Sequence, residues 1–558
     1  MNSYKPSEKS FSVVIAGGGP IGMWLAADLG FRGVRTLVLE RNLEGSDQAK
    51  VMQVSVRTLE FARQLGFADE MSSWGFPLDY PMNNVFATSL DGYELGRSAG
   101  APIGQPGAPG YTEFSPQFQV HCPQPWLEPI VERSARSFPS VDVRRGFEFE
   151  SFEETDDGVL VHFVDLATGE RDRVLADFLV GCEGFGGKVG QQLGIPVDER
   201  TIDYSVDVEF TTDDLFAEHD KGKATRYTLV GPEGTWATLV AVDGRYRWRL
   251  SVYGVERDLA DELDVDAAII RAVGHPFDYE VIRRGRWKRR AAMAATFARG
   301  RVILAGDSAH CSPPNGGFGM NTGIADAMNL GWKLQAAVEG WAGDDLIASY
   351  SEERRPIAQM TLAESIKDYR RLLDDSSHPQ IAEDGEEAAE QRRVIGERLA
   401  AESLKAWRPL GVHIGYGYPW SPIVNTVPGE YRSFEMQEYT PTTDAGFRAP
   451  HVWLAEGRST LDLFGATHVL LRVGSSGAIG QSVIEAAGER GVPLAVHEIA
   501  GPAVEEVYRH RLVLVRPDGY IAWSGDADPS DPVRVIDVAR GSIGSASSVR
   551  ERAQLSAK

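Results

Sequence analysis

The run Gly17-Gly-Gly-Pro-Ile-Gly22 sets three glycines, Gly17, Gly19 and Gly22, at the GxGxxG spacing that lets main chain wrap a pyrophosphate. Gly17 permits the tight turn, Gly19 lets the backbone approach the phosphates, and Gly22 lets a helix pack closely on a strand. Pro20 and Ile21 open that helix, whose first N–H groups would face the phosphates. Glu40 closes the next strand, about 20 residues on, where a carboxylate can accept both hydroxyls of a ribose. By itself this segment specifies a dinucleotide and does not separate a flavin from a nicotinamide.

A second segment separates them. Arg301-Val-Ile-Leu-Ala-Gly306-Asp307-Ser-Ala-His310 reads as a strand that delivers an acid to its C-terminal end. Pro313-Pro314-Asn-Gly316-Gly317-Phe-Gly319-Met320-Asn321 then leads into a helix with apolar positions Ile324, Ala327, Met328, Leu334 and Val338. This segment resembles the GD motif of the group A flavoprotein monooxygenases, the aromatic hydroxylases related to para-hydroxybenzoate hydroxylase and phenol hydroxylase. Three further stretches fit the same family: Arg57-Thr-Leu-Glu60, Pro123-Gln124-Pro-Trp-Leu-Glu128-Pro129, and Ser349-Tyr-Ser-Glu-Glu-Arg354-Arg355-Pro356. The resemblance spans about residues 10 to 360.

The resemblance implies FAD as cofactor, NAD(P)H as reductant and O2 as co-substrate. A flavin C4a-hydroperoxide would then transfer one oxygen atom to a phenolic or related small aromatic substrate. It also implies that Asp307 binds the ribityl chain and that Pro314 holds the loop beside the ring. Gly317, Gly319, Met320 and Asn321 would set N–H groups against the isoalloxazine N1–C2=O, where a helix N-terminus stabilises the charge of reduced flavin. Arg41, Lys50 and Gln124 complete the expected cofactor set, Lys50 standing where many relatives have an arginine near the pyrophosphate. The family's third signature is altered here. Cys182-Glu183-Gly184-Phe185-Gly186-Gly187-Lys188-Val189-Gly190 carries Glu for Asp and glycines for Ser and Arg, in a segment associated with FAD and NAD(P)H contacts. Rival readings on the same scaffold are Baeyer–Villiger oxygenation and dehydrogenation without oxygen insertion. The altered segment also motivates a flavin-binding regulatory protein without catalysis. A halogenase is not expected, since the Trp-x-Trp-x-Ile-Pro sequence is missing.

Because the flavin carries the chemistry, no side-chain nucleophile is required, and Ser308 and Ser312 lack the context of a nucleophile elbow. No residue is assigned as a catalytic base. His310 is read as a structural hydrogen-bonding group beside the flavin loop. His121, His162 and His275 show no ligand spacing, so no metal is expected. Trp236, Tyr246 and Trp248 are the candidate substrate contacts, with packing of the sheet as the plainer reading.

The elements that must position these residues give an α/β fold. A Rossmann-like FAD-binding domain is expected from residues 1–200 and 286–400, with a β-rich substrate domain inserted at 201–285. In the insertion, Asp243-Gly244 joins two alternating strands as a hairpin. A linker rich in Pro, Tyr and Thr is placed at 401–445, and a small α/β unit at 446–558 resembles the thioredoxin-like domain of the phenol-hydroxylase branch. That unit contains no cysteine, which excludes dithiol chemistry and leaves packing or homodimerisation as its role. Its run Gly474-Ser-Ser-Gly477-Ala-Ile-Gly480 follows a strand but has the wrong spacing for a second nucleotide site.

A formal charge of −23 argues against a general nucleic-acid binder. With only Cys122, Cys182 and Cys311, no disulfide framework or zinc cluster can be built. No signal peptide or membrane-spanning run is read, and a cytoplasmic location is expected.

Overall fold

Strand β1 (Phe11–Ala16) is almost wholly buried, as a continuous apolar run in a parallel sheet requires. It leads through the glycine turn into helix α1 (Pro20–Phe31) and strand β2 (Thr36–Glu40), giving the βαβ unit. The computed structural model describes residues 11–50, 52–98, 100–108, 111–255, 261–373, 376–407, 409–426, 433–474 and 479–543.

β1 lies between β2 and the strand Arg171–Gly181, with Val302–Leu304 and Val141–Arg145 beyond them, all five parallel, and Ala298–Arg299 added antiparallel outside Val302–Leu304. The C-terminal ends of β1, β2, Arg171–Gly181 and Val302–Leu304 therefore share one edge. That edge carries the glycine turn, Glu40, Cys182-Glu183 and Gly306-Asp307. An open parallel sheet places its ligand at such an edge. Phe147–Thr155, Gly158–Asp165 and Arg171–Gly181 form an antiparallel meander on this sheet.

A second, eight-stranded sheet stands over this edge. Its middle contains β3 (Arg226–Gly231), β4 (Gly234–Ala241) and β5 (Arg247–Val252), antiparallel neighbours joined by short turns. Long strands Val197–Thr211 and Glu280–Ala294 flank β5 on one side. On the other side, β3 pairs with Asn84–Ala87, which pairs with Glu94–Ser98. The second sheet is thus wider than residues 201–285. Residues 84–98 join it from the first third of the chain, and strand pairing over that distance leaves no local mark in a sequence. Val197–Thr211 and Glu280–Ala294 likewise cross the expected boundaries at 200 and 286.

The C-terminal unit has a four-stranded sheet in the order Leu494–Ile499, His468–Val473, Leu512–Val515, Ile521–Gly525. Gln481–Glu489 and Pro532–Ala539 pack together as helices on one face. The expected linker is not unstructured throughout: Glu386–Trp407 is helical and runs into it, while Val412, Ile414, Tyr416 and Tyr418 are buried. Ser475–Ala478 of the C-terminal glycine run lie outside the described residues. Among the described residues, no helix is long and apolar enough to cross a membrane.

Helix α2 (Phe318–Glu339) follows the Asp307 segment and joins the units. One side packs on α1; Trp332 and Ala336 enter a core shared with Leu470, Leu512 and Leu514 of the C-terminal sheet. Asp326, Asn329 and Lys333 are buried on this helix and meet Arg354 and Glu353, and Glu353 in turn binds Arg516.

Candidate active site

Between the parallel edge and the second sheet lies a cavity of about 1450 Å³. Small-molecule sites run to roughly 300–1,000 Å³, so this one has room for a dinucleotide and a second molecule. Its walls include Gly17 to Ile21, Glu40, Arg41, Lys50, Gln124, Asp307, Pro314, Gly317, Gly319 and Met320. Thirteen of the fifteen expected cofactor residues are therefore brought together; Gly22 and Asn321 stand behind the wall.

The glycine turn is built by close approach. Gly17 has φ +102°, and a Cβ there would lie 2.5 Å from the Cys182 carbonyl oxygen. A Cβ on Gly22 would lie 1.9 Å from the Gly17 carbonyl oxygen, so only glycine lets α1 begin against the turn. At Gly19 a Cβ would meet nothing within 4 Å, because that position faces open space. Glu40 accepts the Gly18 N–H at 2.7 Å through one carboxylate oxygen and the Asn42 N–H at 2.8 Å through the other. It ties the glycine turn to the end of β2.

Asp307 opens into the cavity from the turn after Val302–Leu304, and its carboxylate has no hydrogen bond to a described side chain or backbone N–H. Enclosure by protein pushes this carboxyl above its ordinary range, opposed by His310, Lys50 and Arg290. Asp326, which the sequence reading did not single out, fixes the turn from beneath. Its Oδ2 accepts the Gly306 N–H at 3.1 Å and contacts His310 Nε2 at 2.7 Å, while Oδ1 accepts Arg354 Nε–H at 2.7 Å. His310 has the structural part expected of it.

Burial disfavours the charge on Asp326, but His310 and Arg354 outweigh it and hold the carboxyl below its ordinary value. The stabilisation this provides is complete above the unfolded-state pKa and is lost as pH falls through the folded-state one. The thermal midpoint should accordingly drop as pH is lowered from about 5 to about 3. Asp326→Asn should flatten that dependence in differential scanning measurements.

Asn321 braces the second loop. Its amide nitrogen donates to the Gly317 carbonyl at 2.7 Å and to that of Gln53 at 3.0 Å, and its oxygen accepts the Ser55 N–H at 2.9 Å. Neither α1 nor α2 has a side-chain cap at its N-terminus, which leaves first-turn N–H groups available beside the cavity. Gln124 donates to Glu128 at 2.6 Å, and Glu128 accepts the Ser46 N–H at 2.7 Å, which shapes the loop leading to Lys50. Arg41 faces Glu148 at 3.4 Å. In the altered segment, Glu183 accepts the Val189 N–H at 2.9 Å, and Lys188 donates to the Phe149 carbonyl and pairs with Glu148.

The three aromatic candidates do not line the cavity. Trp248 is fully buried in the core of the second sheet, 5.4 Å from Phe216 between ring centroids. Trp236 is buried under Arg271, whose guanidinium lies 4.0 Å from its ring centroid. Asp243 Oδ1 accepts the N–H groups of Arg245, Tyr246 and Arg247, so Tyr246 belongs to the hairpin loop and is 55% exposed. The physical reason is the period of two: Trp248 and Leu250 point into the core, so Arg249 between them faces the cavity. Thr225, Arg226, Val240, Arg249 and His121 form that wall. Burial pushes the His121 imidazole down to about 4, and a ring nitrogen contacts the Val242 carbonyl at 3.2 Å.

An open parallel sheet with a glycine turn at one strand end, an unpaired acid at another and a glycine-started helix beside it defines a flavin-dinucleotide oxidoreductase. The residues fit FAD: the open space over Gly19 would receive phosphates, the two uncapped helix starts offer N–H donors, and Asp307 offers an open acceptor. Asp307→Ala should weaken FAD binding by about 10- to 100-fold, since a hydrogen bond to a charged group is worth ~1.5–3 kcal/mol. Fluorescence titration of the apoprotein with FAD measures this.

A family model described as FAD binding domain matches residues 10–365, and one described as aromatic-ring hydroxylase, C-terminal matches 442–546. The chain belongs to the FAD-dependent aromatic-ring hydroxylases. It is 31% identical to an FAD-dependent monooxygenase of Emericella nidulans over 95% of this chain and 90% of the relative. A 2,4-dichlorophenol 6-monooxygenase of Delftia acidovorans is 29% identical over 92% of this chain and 94% of its own. Among solved structures, the rebeccamycin biosynthetic enzyme RebC with reduced flavin superposes with a TM-score of 0.87 at 34% identity, covering 95% of this chain and 99% of that one.

Proposed function

We propose that this chain is an NAD(P)H- and FAD-dependent monooxygenase that hydroxylates a phenolic or related aromatic substrate. The observation that carries the reading is the single cavity that continues from Asp307 and the Gly317–Met320 turn to a wall on the second sheet. A flavin held at the first end would present its reactive ring toward a chamber large enough for an aromatic molecule. The names of relatives that hydroxylate phenols support the same substrate class.

FAD, when bound, supplies hydride acceptance from the nicotinamide and activation of O2. The protein's own part is position, electrostatics and exclusion of water. Asp307 would accept a hydrogen bond from the ribityl chain, and Asp326 keeps its turn in place. The first-turn N–H groups of α2 would favour negative charge on the adjoining part of the flavin. The second sheet covers one side of the chamber with Val240 and the aliphatic stems beside it. No side chain is required to attack the substrate.

The test is oxygen accounting. Purified FAD-loaded protein is given NADH or NADPH and a panel of phenols under 18O2, with oxygen uptake and product mass recorded. Substrate-stimulated uptake and a ring-hydroxylated product carrying one 18O atom support the reading. Insertion next to a carbonyl would replace it with Baeyer–Villiger chemistry, and turnover without 18O would replace it with dehydrogenation. Tight FAD that neither nicotinamide reduces would make the chain a non-catalytic flavin protein.

A further inference from the structure

The stretch Arg57-Thr-Leu-Glu60 lies in the first half of the helix Val56–Leu65, and all four residues are buried. Its first turn meets the loop that starts α2. Asn321 Oδ1 accepts the Thr58 hydroxyl at 2.7 Å as well as the Ser55 N–H at 2.9 Å. The other end of that amide donates to the carbonyls of Gly317 and Gln53. Two donors at one end and two carbonyls at the other permit one orientation, since a turned amide would set N–H against donors and oxygen against oxygen. Ser55 accepts the Thr58 N–H at 3.3 Å, and the two hydroxyls lie 3.1 Å apart. The Gly317 carbonyl is thereby pinned. In a trans peptide the following N–H points the opposite way, and here it belongs to Phe318, the first donor of α2.

The C-terminal unit holds the same helix. Arg448 donates to both oxygens of Glu60, one of them at 3.0 Å, and Arg57 donates to Glu60 at 2.7 Å. Another Arg57 nitrogen reaches the Asp518 carbonyl at 2.7 Å. Arg448 and Asp518 come from one corner of that unit, since Arg448 forms a strand bridge with Tyr520. The Arg448 and Glu60 side chains are 1% and 2% exposed, so solvent screens their contact little. The contact of Arg63 with Asp462, further along the helix, is about a quarter exposed and holds the two units less firmly.

We infer that the C-terminal unit takes part in setting the flavin redox potential, with Thr58 as the positioning residue. The Arg448–Glu60–Arg57 junction fixes the helix, and Thr58 clamps Asn321 so that the first donors of α2 keep one direction at the cavity wall. Reduction adds negative charge to the flavin, and N–H groups held in place favour that form. Loosening them lowers the potential. The inference rests on FAD lying beside α2 and is independent of oxygen transfer.

The midpoint potential of FAD-loaded variants, read by anaerobic equilibration with a reference dye, tests this. Thr58→Val keeps the shape and removes the hydroxyl. It should weaken the preference for reduced over oxidised flavin by about three- to tenfold, which lowers the potential by roughly 15–30 mV for a two-electron couple. Thr58→Ser should keep the wild-type value. Arg448→Met should shift the potential in the same direction, and combining it with Thr58→Val should add nothing, because both act through one clamp. FAD stoichiometry and thermal midpoint establish that each variant is folded. Glu60→Gln, which preserves the side-chain shape, replaces Arg448→Met if that variant does not fold. An unchanged potential in Thr58→Val or in the junction variant, a Thr58→Ser shift as large as that of Thr58→Val, or additive shifts in the double variant would each overturn the inference. No nicotinamide, phenol or oxygen enters the measurement, so a failed monooxygenase reading would appear separately, as absent 18O incorporation.

Discussion

Arg516→Met should destabilise the folded chain by about 3–5 kcal/mol, because it removes one partner from a buried ionic cluster and leaves the others uncompensated. Arg516 donates to both oxygens of Glu353, at 2.5 and 2.9 Å, and to Asp518. Lys333 Nζ reaches Glu353 at 2.8 Å, and the side chains of Arg516, Glu353 and Lys333 have no solvent exposure. Burial disfavours the charge on Glu353, yet Arg516 and Lys333 hold its carboxyl well below the ordinary range. Without Arg516, a carboxylate that needs two cations keeps one, and burial already pushes Lys333 down to about 8. The cluster also joins parts of the chain distant in sequence: Lys333 lies on α2, Glu353 on the helix Ala348–Leu372, and Arg516 in the C-terminal unit. Denaturation followed separately by tryptophan and flavin fluorescence should therefore show both transitions at lower denaturant. Replacing Arg516, Glu353 and Lys333 with apolar residues and Asp518 with Asn should recover much of the loss, since no buried charge is then left without its partner and Trp332 and Leu514 pack beside the site.

Gly22→Ala should cost the protein its FAD, with affinity reduced by about 100-fold or more. The added Cβ would stand 1.9 Å from the Gly17 carbonyl oxygen, a distance no side-chain rotation can relieve. Either the start of α1 or the turn must move, and both form the phosphate-facing wall. Gly19→Ala provides the contrast. Its Cβ meets no protein atom within 4 Å, so the apoprotein should melt as the wild type does, while the methyl occupies the space the phosphates need. Thermal melts of both apoproteins beside FAD titrations separate the two effects. Equal melting with unequal FAD binding for Gly19→Ala would locate the loss at the cofactor.

The readable parts of this protein are those in which the chemistry is written in consecutive residues. Gly17 to Gly22 and Asp307 to Asn321 each occupy one turn, so spacing alone specifies which backbone groups converge, and the helices that follow declare themselves by apolar period. The hairpin at Asp243-Gly244 was legible for the same reason: a turn pair and two alternating strands are local. Even there, alternation identifies two faces but cannot say which one meets the core. Trp248 went inward and Arg249 outward because the sheet buries its aromatic face against Phe216 and Leu250. Trp248 thus takes the packing part that was the plainer of its two readings, and Arg249 meets the cavity.

Asp326 had left a signal, an acid at the spacing of Asn329 and Lys333 along an otherwise apolar helix. Its meaning depended on Arg354 and His310 arriving from other elements. The same holds for residues 84–98 joining the second sheet and for Arg516 meeting Glu353. Turns, helix starts and the acid at the end of Val302–Leu304 follow from short-range sterics and backbone donors, which consecutive residues encode. The cavity wall opposite the glycine turn, the support beneath Asp307 and the ionic junction with the C-terminal unit arise from strand register and burial between distant segments, and those exist only once the chain has packed.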